Sequence, residues 1–288
     1  MVAPLPADAG FDELFAAWRS ASHDLIDLVT PLSQPEWDAP TALPGWSVGD
    51  IVAHIGWLEG LLIGEYDAPH EPDWSSLPHA QSDFGRLTEV PVDLRRTWTR
   101  EAVLIELADR VARRTVELEQ GPHDPAHEVM GPFGPAPLGR VLRMRTLDSW
   151  VHEQDIRDAL GRPGHLDTMG AQATASQLLP GLGKVWGKLA GAQPGQVLDV
   201  RISGGGISGG GIEGGATVVV DDDGRARIVG DDLLDQAGAA TVTLTMSWPT
   251  YLALSCGRGD AQPWREQVSV SGDTELAART LDHFRVMI

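Results

Sequence analysis

Residues 43–54 read LPGWSVGDIVAH, and this stretch sets the point at which a long helix begins. Ser47, followed three residues later by Asp50, resembles a capping box with Asp in place of the usual Glu. The apolar residues after it recur at three- and four-residue steps, as one face of a helix requires: Ile51, Val52, Ile55, Leu58 and Leu62. His54 lies on the same stripe, so we expect its imidazole to face the interior of a helical domain.

The same periodicity predicts three more helices in the first half of the chain. They cover residues 11–29, 100–120 and 137–160. Residues 67–92 are rich in Pro, Asp and Ser, which predicts a long surface excursion without a core element. Four helices with one apolar face each predict a four-helix bundle over residues 1–165.

The second half of the chain changes to the pattern of strands. Residues 171–189 still read as helical, and short helices are predicted at 248–256 and 274–284. Alternating or β-branched runs predict strands at 197–202, 216–220, 225–229, 241–246 and 267–270. We therefore expect an α+β protein of two domains, with the bundle followed by a small α/β sandwich domain over residues 166–288.

Composition excludes several classes of protein. A net charge of −19 disfavours nucleic acid and anionic lipid as partners. The single cysteine, Cys256, excludes an internal disulfide and a metal site made only of cysteines. No apolar run is long enough to span a membrane, and the first ten residues lack the pattern of a signal peptide. We expect a cytoplasmic protein that is a monomer or a homodimer.

Two familiar motifs occur in a context that does not support them. Gly204, Gly206 and Gly209 spell GxGxxG, but further glycines and another strand follow where nucleotide binding needs a helix. The pattern GxSxG occurs at 45–49 and 206–210, and neither copy has both the preceding strand and the following helix of a nucleophile elbow. A role as helix cap explains Ser47, while a serine hydrolase that uses Ser47 stays an alternative.

Asp148 and His152 lie four residues apart on the last predicted helix of the bundle, so their side chains project from one face. With His54 from a facing helix they would form a site of three ligands and one open position, which is typical of catalytic zinc. Asp155 lies one turn further, where it could accept a hydrogen bond from a ligating imidazole. The bundle could equally hold these histidines as ordinary buried residues, in a metal-free module that binds a small molecule.

The segments that contain His54, Asp148 and His152 resemble the motifs of a known family. Residues 43–54 resemble the PGWxVxDxxxH signature of the mycothiol-dependent maleylpyruvate isomerase family, which lies within the DinB-like superfamily. Residues 148–156, DSWVHEQDI, are similar to its second signature, an acid followed by xxxHxxDI. The segment from 241 to 273 resembles the small C-terminal domain of that family, so the resemblance spans nearly the whole chain.

The resemblance implies a zinc site on His54, Asp148 and His152, although the family usually has Glu where this chain has Asp148. It also implies a functional arginine in the C-terminal domain, for which Arg258 is the best match and which would pair with a substrate carboxylate. The cosubstrate it implies is mycothiol, a sugar-linked cysteine derivative, so Cys256 is not needed as a nucleophile. We expect a zinc-dependent S-transferase that directs mycothiol to a small electrophile, or alternatively a mycothiol-dependent cis–trans isomerase.

Overall fold

The structure, a computed structural model, describes residues 3–204, 211–229 and 240–287. It divides into a unit formed by Asp8–Gly164 and a unit formed by Met1–Ala7 with His165–Ile288. The first unit is mainly helical and the second contains a five-stranded sheet, so the predicted α+β class is confirmed. Among the described residues, no helix combines the length and the apolar character that a membrane crossing needs.

The helical unit contains six α-helices and one hairpin. They are α1 (Phe11–Val29), α2 (Gln34–Trp37), α3 (Val48–Leu62), α4 (Asp83–Arg95), α5 (Arg100–Gln120), β1 (Glu128–Gly131), β2 (Gly134–Pro137) and α6 (Leu138–Ala159). The helix α6 packs on α1 and α3, and α3 also packs on α4 and α5. Because α3 is enclosed by these three helices, nearly all of its residues are buried.

The start of α3 follows from the capping box predicted from the sequence. The Asp50 amide donates to Ser47 Oγ at 3.2 Å, and the Ser47 amide donates to Asp50 Oδ2 at 2.8 Å. These bonds satisfy two backbone donors that the first turn of a helix leaves free. The cap therefore fixes the rotational register of α3 and, with it, the direction of His54.

The predicted surface excursion over residues 67–92 is wrong in its second half, because α4 begins there. Ser82 caps this helix, accepting from the Gly85 amide at 2.9 Å, and Val92 is fully buried on it. Pro91 lies inside α4, although proline removes a helical hydrogen bond. Packing against α3 stabilises this helix although its composition disfavours one, so composition alone does not predict α4.

The second unit is built on a sheet with strand order β5-β4-β3-β6-β7. Its elements are α7 (Met169–Leu178), β3 (Val197–Ser203), β4 (Gly214–Val220), β5 (Ala226–Val229), β6 (Val242–Ser247), α8 (Trp248–Cys256), α9 (Gln262–Arg265), β7 (Ser269–Gly272) and α10 (Thr274–Asp282). The pair β3 and β6 is parallel and the other pairs are antiparallel. The predicted strands are confirmed with small shifts at their ends, whereas the glycine motif falls largely on residues 205–210, outside the described residues.

Candidate metal centre

Three side chains from two helices converge inside the helical unit. His54 Nε2, on α3, lies 3.5 Å from Asp148 Oδ2, and His152 Nε2 lies 3.6 Å from Asp148 Oδ1. One donor atom from each of the three residues lies within 4.8 Å of the others. Tetrahedral ligands at ordinary zinc distances are separated by about 3.4 Å. The spacing therefore fits a single divalent cation, and two imidazoles with one carboxylate are a donor set that zinc accepts.

The helix α6 supplies two of these side chains and the group that orients one of them. Asp148, His152 and Asp155 follow one another at steps of four and three residues, so they share one face. His152 Nδ1 and Asp155 Oδ2 are 2.9 Å apart and both groups are buried. When Nδ1 carries the proton, Nε2 keeps its lone pair toward Asp148, as in the carboxylate–histidine pairs that support bound metals.

The electrostatics favour the unprotonated forms of His54 and Asp148. Burial lowers the pKa of His54, with Asp148 opposing only part of that shift, so the imidazole is neutral at neutral pH. Burial alone would raise the pKa of Asp148, but the Arg145 guanidinium and the two imidazoles hold it well below its ordinary value. A carboxylate and neutral imidazoles are the forms that bind a cation, so no proton must be removed from these two groups at neutral pH.

Arg145 and Glu59 are parts of the site that the sequence analysis missed. Arg145 Nη1 donates to Asp148 Oδ2 at 2.6 Å, and its Nε donates to Glu59 Oε1 at 2.9 Å. Both residues are almost completely buried. The spacing of Arg145 and Asp148, three residues on one helix, could have suggested their contact, but only packing brings Glu59 from α3 to the same place.

Comparison with known proteins finds a family that this unit resembles. Residues 18–157 match the family model of the mycothiol maleylpyruvate isomerase N-terminal domain. The helical unit is similar to this family over most of its length. The matched range contains both sequence motifs and the three converging side chains, so the resemblance inferred from the motifs is confirmed for this part of the chain.

The isomerase fold extends beyond the matched range. The chain is similar to the crystal structures of the mycothiol-dependent maleylpyruvate isomerase and of a histidine-to-alanine mutant of it, each with a TM-score of 0.53 and 18% identity. Each superposition covers 93% of this chain and 95% of the other. At this identity the likeness shows a shared fold.

Two curated relatives of the chain come from two strains of Mycobacterium tuberculosis. Both are uncharacterized proteins that are 26% identical to this chain over 145 residues, which is 50% of this chain and 54% of theirs. The chain thus spans about half the length of the curated relatives it matches.

The aromatic ring of Trp46 borders the two histidines of the candidate site. The Trp46 ring centroid lies 5.1 Å from that of His54 and 6.2 Å from that of His152. Trp46 Nε1 donates to Glu89 Oε2 at 2.7 Å, and His79 Nε2 lies 3.0 Å from the same oxygen. Glu89 is buried on α4, so the helix that the sequence analysis missed holds the indole beside the candidate ligands.

Two other predicted residues, Ser47 and Arg258, are each described within their own unit. Ser47 Oγ donates to Asp50 Oδ2 at 3.0 Å, and Ser47 lines a cleft of about 340 Å³ whose described lining does not include the three candidate ligands. Arg258 follows α8 in the other unit, where its Nη1 donates to the Cys256 carbonyl at 3.1 Å. Cys256 is fully buried, as a small core residue would be. The substrate role of Arg258 stays a prediction.

Proposed function

We propose that the chain is a metal-dependent enzyme that uses mycothiol to isomerise a cis double bond of a maleylpyruvate-like substrate. The observation that carries this proposal is the convergence of His54, Asp148 and His152 at the spacing of metal ligands. The match of residues 18–157 to the maleylpyruvate isomerase N-terminal family model, and the fold shared with a mycothiol-dependent isomerase, support the choice of reaction.

The three side chains would hold zinc or another divalent cation. When bound, the cation would lower the pKa of a coordinated thiol and supply a thiolate at neutral pH. Asp155 keeps His152 Nε2 available as a donor, and Trp46 borders both imidazoles, which excludes water from that side of the site.

The proposed reaction balances without any further reactant. The thiolate sulfur bonds to one carbon of the double bond, and the electron pair of that bond moves toward the conjugated carbonyl. Rotation about the resulting single bond follows. The electron pair then returns, the carbon–sulfur bond breaks and the thiol is released unchanged. A substrate of this kind carries carboxylates, and in this proposal Arg258 pairs with one of them.

Net transfer of sulfur, which the sequence analysis favoured, begins with the same addition and differs only because the carbon–sulfur bond persists. The comparisons support isomerisation better, since the matching family and the similar crystal structures are both of maleylpyruvate isomerases. Measuring the thiol concentration during turnover distinguishes the two reactions, because isomerisation leaves it constant and transfer consumes thiol.

The test starts from purified protein whose metal content is measured by elemental analysis. We expect about one metal per chain, and formation of the trans isomer from maleylpyruvate and mycothiol that a chelator abolishes and zinc restores. His54→Ala combined with His152→Ala should remove metal and activity while circular dichroism stays native.

Stoichiometric metal in the double variant would contradict the proposed ligands. Thioether accumulation with loss of thiol would replace isomerisation by transfer. Binding of a small molecule that ignores the chelator would favour the metal-free module, and labelling of Ser47 by a fluorophosphonate would favour the hydrolase.

A further inference from the structure

A row of three charged side chains, of which Glu59 and Arg145 are buried and Asp148 is partly exposed, connects α3 with the candidate ligands. Glu59 Oε1 accepts from Arg145 Nε at 2.9 Å, and Arg145 Nη1 donates to Asp148 Oδ2 at 2.6 Å. Glu59 is 0% exposed and Arg145 is 1% exposed. The helix α3 therefore carries both His54 and the acid that anchors Arg145, while α6 carries Arg145 and the other two ligands.

This row is poorly explained by stability alone. Removing charged groups from water costs several kcal/mol per ion, and apolar residues of similar volume often serve a core equally well. Arg145 Nη2 is also buried and has no hydrogen-bond partner among the described residues, so the guanidinium does not satisfy all of its donors. A role in the site accounts for this costly arrangement.

Asp148 is the ligand that most needs an external support. The terminal torsion of an aspartate is broad, so the side chain itself does not decide where its two oxygens point. The bond from Arg145 holds Oδ2, and Oδ1 then faces His152 Nε2 at 3.6 Å. The Nε2 atom of each imidazole thus faces an oxygen of the Asp148 carboxylate, whose orientation Arg145 holds.

Glu59 keeps this support from cancelling the charge that attracts a cation. Asp148 with Arg145 alone would form a neutral pair. Glu59 adds a second carboxylate to the same guanidinium, so the three groups together keep one negative charge. Arg145 thus orients the Asp148 carboxylate, while Glu59 preserves the net negative charge that attracts a cation.

We infer that Arg145 is a positioning residue that fixes the Asp148 carboxylate for metal binding, with Glu59 as the anion that offsets its charge. The inference rests on the proposed function, since it concerns the same candidate ligands. It adds the residues that orient the acid of this site, which in this chain is an aspartate.

The test measures zinc affinity by competition with a chromophoric chelator and records the visible absorption of the cobalt(II)-substituted protein. Arg145→Lys keeps the charge but cannot bridge Glu59 and Asp148 in the planar, two-armed manner of arginine. We expect it to weaken zinc binding 10- to 100-fold, as loss of a support behind a ligand typically does, and to change the cobalt spectrum. Arg140→Lys, on the exposed side of the same helix, is the matched control and should alter neither readout.

Glu59→Gln separates charge from orientation. Its amide oxygen can still accept from Arg145, so we expect weaker zinc binding with an unchanged cobalt spectrum. The combined change of Glu59→Gln and Arg145→Met places two uncharged side chains in the core, which avoids an unpaired buried charge, and should lose affinity as Arg145→Lys does.

Zinc affinity and a cobalt spectrum like those of the wild type in Arg145→Lys would overturn the inference and leave the proposed function intact. Wild-type protein that binds no zinc would overturn both. If neither Arg145 variant keeps a native circular dichroism spectrum, Arg145 is a folding residue and the positioning role is refuted.

Discussion

Replacing Asp155 by Asn tests how the protein supports His152. The Asp155 carboxylate lies 2.9 Å from His152 Nδ1 and both groups are buried, so the bond holds the proton on Nδ1 and leaves Nε2 free. Asparagine has nearly the same shape but no charge. Its amide can also present a donor to Nδ1, which favours the tautomer whose Nε2 carries the proton and cannot bind metal.

Two estimates of the effect agree. Loss of the carboxylate behind a ligating histidine typically lowers metal affinity 10- to 100-fold. At about 1.4 kcal/mol for each tenfold change, this range corresponds to roughly 1.4–2.8 kcal/mol. A hydrogen bond to a charged group contributes about 1.5–3 kcal/mol, so the single bond from Asp155 is sufficient to explain such a loss.

The assay is zinc competition with a chromophoric chelator at one pH and ionic strength. Asp27→Asn is the matched control, because it removes the same charge from an exposed position on α1. We expect Asp155→Asn to bind zinc 10- to 100-fold more weakly and the control to bind as the wild type does. Equal affinities in Asp155→Asn and the wild type, or equal losses in both variants, would refute the argument from the hydrogen bond.

Three further results are expected. Burial lowers the pKa of His54 below its unfolded value of about 6.5, so in metal-free protein the unfolding free energy falls by up to about 1.4 kcal/mol per pH unit once the pH drops below that value. Urea titrations of His54→Asn at several pH values should lack this pH-dependent component. Ser47→Ala should cost about 1 kcal/mol of unfolding free energy through loss of the cap and leave turnover intact, whereas abolished turnover in a folded protein would favour the hydrolase. Glu89→Gln should lower the unfolding free energy by about 2–4 kcal/mol, because a buried acceptor of three donors loses its charge, and should shift the fluorescence emission of Trp46. Glu117→Gln, at an exposed position, should change neither quantity, and a urea midpoint of Glu89→Gln equal to that of the wild type would contradict the role of Glu89.

Local sequence was sufficient for most of the elements and for part of the site. The capping box at Ser47 and the spacing of apolar residues predicted α3, and the β-branched runs predicted the strands of the second unit. The interval between Asp148 and His152 placed both on one face of α6, because four residues are close to one helical turn. These features depend on neighbours along the chain, so the sequence reports them directly.

Contacts between helices were decided only by the tertiary structure. That His54 meets Asp148, and that Glu59 reaches Arg145, depends on how α3 is shifted and rotated against α6, which the period of either helix does not contain. The position of Glu89 beside Trp46 depends on α4, a helix that packing stabilises around an internal proline. Periodicity determines which residues share a face, but the free energy of packing selects which faces meet, and this sum over many distant contacts is not written in any one segment.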